Sequence, residues 1–513
     1  MKTLFEHETI YVDPNGTRTD ALLVEAGRIL AIGEEARSAA TDERVVLEGA
    51  CLVPGLTDAH IHLWGLGQRS LGSPIVELRG ASGPEELLQR LRGAALWDGW
   101  VFGMGWDENL WGDSRLSLSQ LDEAFPNVPV CLRRIDGHAF WVNSLALRLA
   151  GIDETTQMPG GECVKVGGLL TGLLVDKAME PVSAILPTVP ESEDEAVYRE
   201  SVSRLRSFGI TGAHKAWMPA NRMGMLERLK AQGELGIRLY LFLDGMDPDL
   251  HEVFDSGPYG DVDLGVGCVK FFADGAMGSR GARLFEPYRD SGRGVWVHGP
   301  ELLNERIPWL AERGWQVAVH AIGDEAASAV LDAYALVPND VRRAARLRLE
   351  HAQMMRDADI ERMRELGVVP SVQFIHMRSD AAWLEQVLSA PQLLELFRWR
   401  DLAEAGTLAG GSDFPIEDPN PWHAISCAMT RRDAKGRVFH VEHALSFKEA
   451  FASYTTGAAW ARHQEKSLGK LEPGFFADFA ILDRDPFSSS AEEIWEMNCL
   501  GVALGGDLDL FAS

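Results

Sequence analysis

His60 and His62 sit one residue apart in Leu56-Thr57-Asp58-Ala59-His60-Ile61-His62. Side chains two apart on a strand share a face, so the pair can project together from a strand end. Further along, Val317-Ala318-Val319-His320 and Leu347-Arg348-Leu349-Glu350-His351 each close a β-like apolar run with a histidine, and Ala409-Gly410-Gly411-Ser412-Asp413 closes another with an aspartate. Four histidines and a carboxylate gathered in one place suit a divalent metal with nitrogen and oxygen ligands, such as zinc. Lys270, in Val269-Lys270-Phe271-Phe272, lies inside an apolar strand. A buried, unpartnered ammonium is costly, and a cation beside metal ions is worse. Conversion to a carbamate makes the same side chain an anionic bridging ligand. Each residue has a plainer reading when taken alone: a hydrogen-bonded core histidine, an aspartate capping a turn, a lysine snorkelling to solvent. Together these plain readings require an accident repeated at successive strand ends.

Something must bring those strand ends together. Apolar β-like runs fall at 52–59, 208–214, 236–243, 265–273, 315–320, 345–351, 367–373 and 407–412, with amphipathic stretches between them at Glu193–Ser207, Asn221–Gln232, Leu302–Arg313, Glu325–Leu336 and Arg356–Leu366. This alternation predicts an α/β chain of βαβ units closing into a (β/α)8 barrel, whose strand C-terminal ends converge on one mouth. The step from His60 to 208 is far too long for a loop, so 65–190 is expected to be an insertion after the first barrel strand. The first 50 residues and the last 45 or so share a β-rich, turn-punctuated texture. They predict a small β-sandwich built from both termini, with 1–56 plus 465–513 as one domain and 57–464 as the hydrolase barrel.

The chain has 513 residues, 46% hydrophobic, with a net charge of −27. An acidic surface repels phosphate backbones and anionic lipid, so nucleic acid and membrane are poor partners. No apolar run reaches the ~18 residues of a membrane span, and Glu6, His7 and Glu8 interrupt the place of a signal peptide's apolar stretch. Six scattered cysteines without CxxC read as reduced thiols, and the expected location is the cytoplasm.

The ordered motifs PGLTDAHIHL (54–63), GMGWDENLW (103–111), RRIDGHAFWVNSLAL (133–147), VKFFADGAMGSRGARLFEPY (269–288), VHAIGDEAASAVLDAY (319–334), EHAQM (350–354), PSVQFIH (370–376) and GSDFPIEDPNP (411–421) run through most of the chain. LSFKEAFASYTTGAAWA (445–461) and LGKLEPGFFADFAILDRDP (468–486) complete the series. On these motifs the chain resembles the amidohydrolase superfamily, and within it the amidohydrolase family 3 group typified by N-substituted formamide deformylases. The resemblance implies a binuclear centre: His60 and His62 on the more buried metal, carboxylated Lys270 bridging, His320 and His351 on the second metal, and Asp413 as ligand and general base. Lys215, in Gly209-Ile210-Thr211-Gly212-Ala213-His214-Lys215, also ends a strand and rivals Lys270 as the bridge. The VKFFADG context favours Lys270.

The resemblance also implies that the insertion folds over the mouth. Trp106, Asp136, His138 and Trp141 would contact the substrate from it, and Gln373 and His376 would do so after the seventh strand. Asp274, Ser279 and Arg280 would shape the pocket or support the ligands. Fifteen tryptophans, with Trp64, Trp106, Trp111, Trp141 and Trp217 near presumed mouth loops, point to an apolar or aromatic substituent on the substrate, though for any one ring, filling the insertion's own core is the more ordinary reading. The expected activity is hydrolysis of a non-peptide amide or formamide by a metal-activated hydroxide, on a small molecule, in a chain that forms homodimers by resemblance. Two readings compete. A mononuclear deaminase of the same superfamily would carry Glu three residues after His320, where this chain has Gly323. Lactone or phosphotriester hydrolysis uses the same metal pair.

Overall fold

The structure is a computed structural model and describes residues 1–511 apart from 73, 113, 115, 116 and 189. Eight parallel strands form its centre: β1 Leu56–Ile61, β2 Ile210–Met218, β3 Arg238–Asp244, β4 Leu264–Phe272, β5 Gln316–Ala321, β6 Arg348–His351, β7 Val369–Val372 and β8 Ala409–Gly410. They pair in sequence order from β1 to β8. Just past β8 the ring is drawn shut by two backbone bonds: the Asp413 N–H donates to His60 O (2.7 Å) and the His62 N–H to Phe414 O (2.9 Å). Gly411 makes that closure possible, because a Cβ there would stand 2.5 Å from the His60 nitrogen. The interior is lined by near-continuous apolar runs, as strands buried on both faces require.

Helices cross over between strands where the amphipathic stretches predict them: Glu191–Arg206, Met223–Gln232, Pro300–Glu312, Asp324–Ala335 and Asp357–Leu366. The last shows why it begins and ends where it does. Asp357 and Asp359 sit in its first turn and Arg364 in its last, each favourable to the helix dipole. Gly367 then stops it in the left-handed region (φ 68°).

The expected first strand at 52–59 is in fact two. Cys51–Pro54 pairs antiparallel with Phe479–Leu482, and only Leu56–Ile61 belongs to the barrel. The chain turns between them at Gly55, where a Cβ would lie 2.2 Å from Thr211 Oγ1. An unbroken apolar run hid this switch of sheets.

Both termini do share a sheet. Lys2–Tyr11, Arg18–Glu25, Arg28–Ile32, Glu43–Val46 and Cys51–Pro54 join Phe479–Leu482, Cys499–Leu504 and Asp507–Leu510 in one eight-stranded hydrogen-bonded array. Where a sandwich was expected, the pairing links all eight in one sheet. One face buries Phe5, Leu22, Val24 and Phe479; the other buries Leu4, Leu23 and Ala31 with Ala36 of a short helix.

Between β1 and β2 the chain builds a third sheet of six strands: Ile75–Glu77, Val101–Trp106, Val130–Arg134, Ala139–Val142, Gly161–Val166 and Leu169–Asp176. Apolar side chains cover both of its faces. No helix among the described residues is long and apolar enough to cross a membrane.

Candidate metal centre and cavity

His60, at the end of β1, is oriented by its back side. Its Nδ1 lies 2.5 Å from Glu350 Oε2, so Nδ1–H donates to the carboxylate and the Nε2 lone pair faces the mouth. Glu350 is held in turn by Arg348 (2.8 Å) and by the Ser371 hydroxyl (2.6 Å), all three fully buried. Although burial opposes its charge, Arg348 and His60 hold the Glu350 carboxyl well below the usual range. His351 is fixed the same way, its Nδ1 donating to Gln373 Oε1 at 2.7 Å.

Asp413 faces these nitrogens. One of its oxygens is 3.5 Å from His60 Nε2 and 3.2 Å from His62 Nε2. Donor atoms of His60, His351 and Asp413 all lie within 4.8 Å of one another. His320 packs edge-on against His351 with ring centroids 4.4 Å apart, its Nε2 3.3 Å from Gly275 O. The protonation states suit cation binding. Burial pushes His62 down to about 4 and His320 and His351 well below 6.5, so their nitrogens stay neutral. Burial pushes Asp413 upward, but the bond from His62 and the nearby His60 keep it ionised. His351 (φ 73°) and Asp413 (φ 56°) also adopt left-handed backbone unusual for side-chain-bearing residues, strain of the kind found at functional sites.

Lys270 Nζ is buried and has no hydrogen-bond partner among the described residues. Burial lowers its pKa to about 8, with Glu350 and Asp413 pulling the other way. The rival Lys215 is satisfied, its Nζ donating to Ala216 O (3.0 Å) and Trp217 O (2.9 Å). An amine bonded to two carbonyls is spoken for, whereas one without a partner beside histidines and a carboxylate is available as a further ligand. The residues present therefore fit the metal pair.

A cavity of about 1100 Å³ opens onto His60, His62, His320, His351 and Asp413. Asp136 and His138 line it; His138 is held through Nδ1 by Asp176 at 2.7 Å, its ring 5.1 Å from that of His320. His376 stands in a small side recess with its Nε2 3.8 Å from Asp413, parallel to the His351 ring. Gln373 acts on His351 rather than on the cavity. Trp106 and Trp141 are not on the wall at all. Both are fully buried in the insertion's core, where Trp106 donates to Leu132 O (2.8 Å) and Trp111 likewise to Ala81 O (2.7 Å). The aromatic wall is made of Trp64 and Trp217, both expected near the mouth, together with Trp97, Phe102, Phe140 and Phe272. Asp274 supports the centre from behind, accepting from the Ile322 and Gly323 N–H groups, while Arg280 pairs with Asp290 and Asn109. Ser279 donates its hydroxyl to Ala276 O.

Glu350, Arg348 and Ser371 were not singled out from sequence. Their signal is the alternation Arg348-Leu349-Glu350, two charges on one face of a strand that is otherwise apolar. At the position a deaminase would give to glutamate, a Cβ on Gly323 would meet Arg283 O at 2.0 Å, so no side chain fits.

A barrel with neutral histidines and an ionised aspartate at its mouth is the architecture of a metal-dependent hydrolase, and comparison with known proteins agrees. A family model described as the amidohydrolase family matches residues 45–508. The Bacillus subtilis protein named "Putative amidohydrolase YtcJ" is 33% identical, with 99% of each chain covered. The N-substituted formamide deformylase of Arthrobacter pascens is 28% identical over 97% of this chain and 96% of its own. A crystal structure of an uncharacterised metal-dependent hydrolase from Pyrococcus horikoshii superposes with a TM-score of 0.77 at 29% identity, covering 96% of this chain and 99% of that one. The chain is thus a metal-dependent hydrolase acting on carbon–nitrogen bonds. It belongs to the amidohydrolase family.

Proposed function

We propose that the chain hydrolyses the amide or formamide bond of an N-substituted small molecule, with two zinc ions bridged by carboxylated Lys270. The observation that carries the metal pair is the orphaned Lys270 Nζ beside a His60–His351–Asp413 donor set. The similarity to an N-substituted formamide deformylase supports the substrate class. His60 and His62 would hold one metal, His320 and His351 the other, with Asp413 as a further ligand. Bound there, divalent zinc supplies a water of lowered pKa and a Lewis acid for the substrate carbonyl.

The chain's own residues do the rest. Asp413 accepts the attacking water's proton and returns it to the departing nitrogen. Glu350 and Gln373 fix the ligand histidines so that neither ring turns away. Burial opposes a charge on His138, but the Asp176 carboxylate raises its pKa, so a protonated Nε2–H can donate to the developing oxyanion. We assign 1–56 plus 465–513 to a supporting β domain, 57–464 to the catalytic barrel, and 65–190 to the insertion over its mouth. Six free cysteines, five of them buried, are in keeping with a reducing cytoplasmic setting.

The test is elemental analysis of zinc-replete protein together with a screen of N-formyl, N-acetyl and cyclic amides of aromatic amines. Near two zinc per chain and turnover of at least one class are expected. One zinc per chain would overturn the pair, and failure of every amide would overturn the substrate class.

A further inference from the structure

The face of the insertion sheet that lines the cavity is mostly apolar and carries two charges: Glu77, which pairs with Arg69, and Arg133, which forms no ion pair among the described residues. Ladder pairing sets Ile75 opposite Phe102, Met104 opposite Arg133, and Arg133 opposite Phe140. These five side chains share one face and all line the cavity. Arg133 Nε and Nη2 both donate to a single acceptor, Gly137 O, at 3.4 and 3.3 Å. Among the described residues its Nη1 has no partner, and no carboxylate forms an ion pair with it. The next residue shows what the chain does when it neutralises a buried guanidinium: Arg134 is held by Asp107, Glu108 and Asp136 at 2.5, 2.8 and 2.7 Å. Asp136 and Asp413 act on Arg133 through space, yet in a sequence with 76 acidic residues against 49 basic ones none closes to an ion pair with it among the described residues. Arg133 is half-buried and faces the cavity, so a ligand that fills the cavity strips water from the guanidinium and should bring its own partner. The edge shared by Nη1 and Nη2 is the shape that receives a carboxylate through two parallel hydrogen bonds.

We propose that Arg133 is a specificity residue that binds a carboxylate on the substrate, so that the amides this enzyme prefers carry both an anionic group and an apolar one. This rests on the amide reading above. The apolar part would lie against Met104, Phe102, Phe140 and Trp97, and the amide would reach the histidines at the other end of the cavity.

Two measurements on the metal-loaded enzyme separate this inference from the reading beneath it. The first compares hydrolysis of N-formylphenylalanine with that of N-formylphenethylamine, which lacks only the carboxylate. The wild type should show a KM lower by about tenfold or more for the carboxylate, the scale of a charged hydrogen bond. Arg133→Gln should erase the ratio, and Arg133→Lys should keep part of it, with melting curves showing that both variants are folded. A ratio near one in the wild type, or one unchanged in Arg133→Gln, overturns the proposal; in the second case the carboxylate sits on the metals or on Lys177. The second measurement is calorimetric binding of 3-phenylpropionate and 3-phenylpropan-1-ol, which needs no turnover. Arg133-dependent preference for the acid without hydrolysis of either amide would leave the anion subsite standing and remove the amide reading. No preference in either experiment removes the subsite.

Discussion

The two ends of the barrel treat their polar groups in opposite ways. At the N-terminal end, Arg238 opens β3 and donates to Asp478 through Nε (2.5 Å) and Nη2 (2.8 Å), while also pairing with Asp263. Gln316 opens β5 and gives its amide to two carbonyls, Arg346 O and Ala461 O. Asp478 also accepts from Gly505 N–H, so one ion pair ties the barrel floor to the terminal sheet. At the C-terminal end, four histidine rings crowd within 6 Å of their neighbours, His351 and Asp413 sit at positive φ, and buried Lys270 has no hydrogen-bond partner among the described residues. The floor is built for stability. The mouth holds groups that are unfavourable as they stand and become favourable once cations arrive.

The contrast can be broken most sharply at Asp413. Asp413→Asn should lower kcat by about a thousandfold, within the range of a lost general base. Unimpaired turnover would take the base role from Asp413. Next comes the choice of bridging lysine. Lys270→Ala should lose bridged zinc, read by elemental analysis, and nearly all turnover. Lys215→Met loses only two bonds to neighbouring carbonyls and should keep the metal. The reverse pattern would transfer the bridge to Lys215.

The floor predicts the complementary phenotype. Arg238→Met strands Asp478 in a nearly buried position, which should lower unfolding stability by ~3 kcal/mol, the scale of a broken buried pair. Metal content and kcat of the folded fraction should hardly change. A denaturant titration beside a zinc assay checks both halves, and loss of zinc at unchanged stability would erase the division between the two ends.

The candidate ligands were legible because they obey a simple rule: each ends an apolar run, and parallel strands end on the same side. His60, His62, His320, His351 and Asp413 could therefore be named before any coordinates. What supports them was not. Glu350 precedes a ligand by one residue and acts on another, His60, that lies 290 positions away; no local spacing carries that information. Gln373 was marked for the substrate but holds His351, because a strand-end polar residue reads the same from either side. The sheet switch at Gly55 was masked by continuous hydrophobicity, since both sheets want apolar residues there.

The tryptophans show the same ambiguity, and they allow the finest test. Of the five tryptophans expected near the mouth, Trp64 and Trp217 line the cavity, whereas Trp106, Trp111 and Trp141 lie in the core on the insertion sheet's other face. Trp106 spends its indole N–H on Leu132 O inside the core, whereas Trp97 lines the cavity and packs edge-on against Phe102 at 5.6 Å. Trp106→Phe should therefore cost ~1 kcal/mol of stability through one lost hydrogen bond and its unfilled space, with KM unmoved. Trp97→Ala should do the opposite, raising KM for amides with large apolar substituents several-fold while leaving kcat for small ones near its original value. Measured as a pair across a series from N-formylmethylamine to N-formylbenzylamine, the two variants should diverge only at the bulky end. A KM that shifts in Trp106→Phe as the substituent grows would mean that the core face also reaches the substrate, and that the sheet separates its two roles less cleanly than the barrel does.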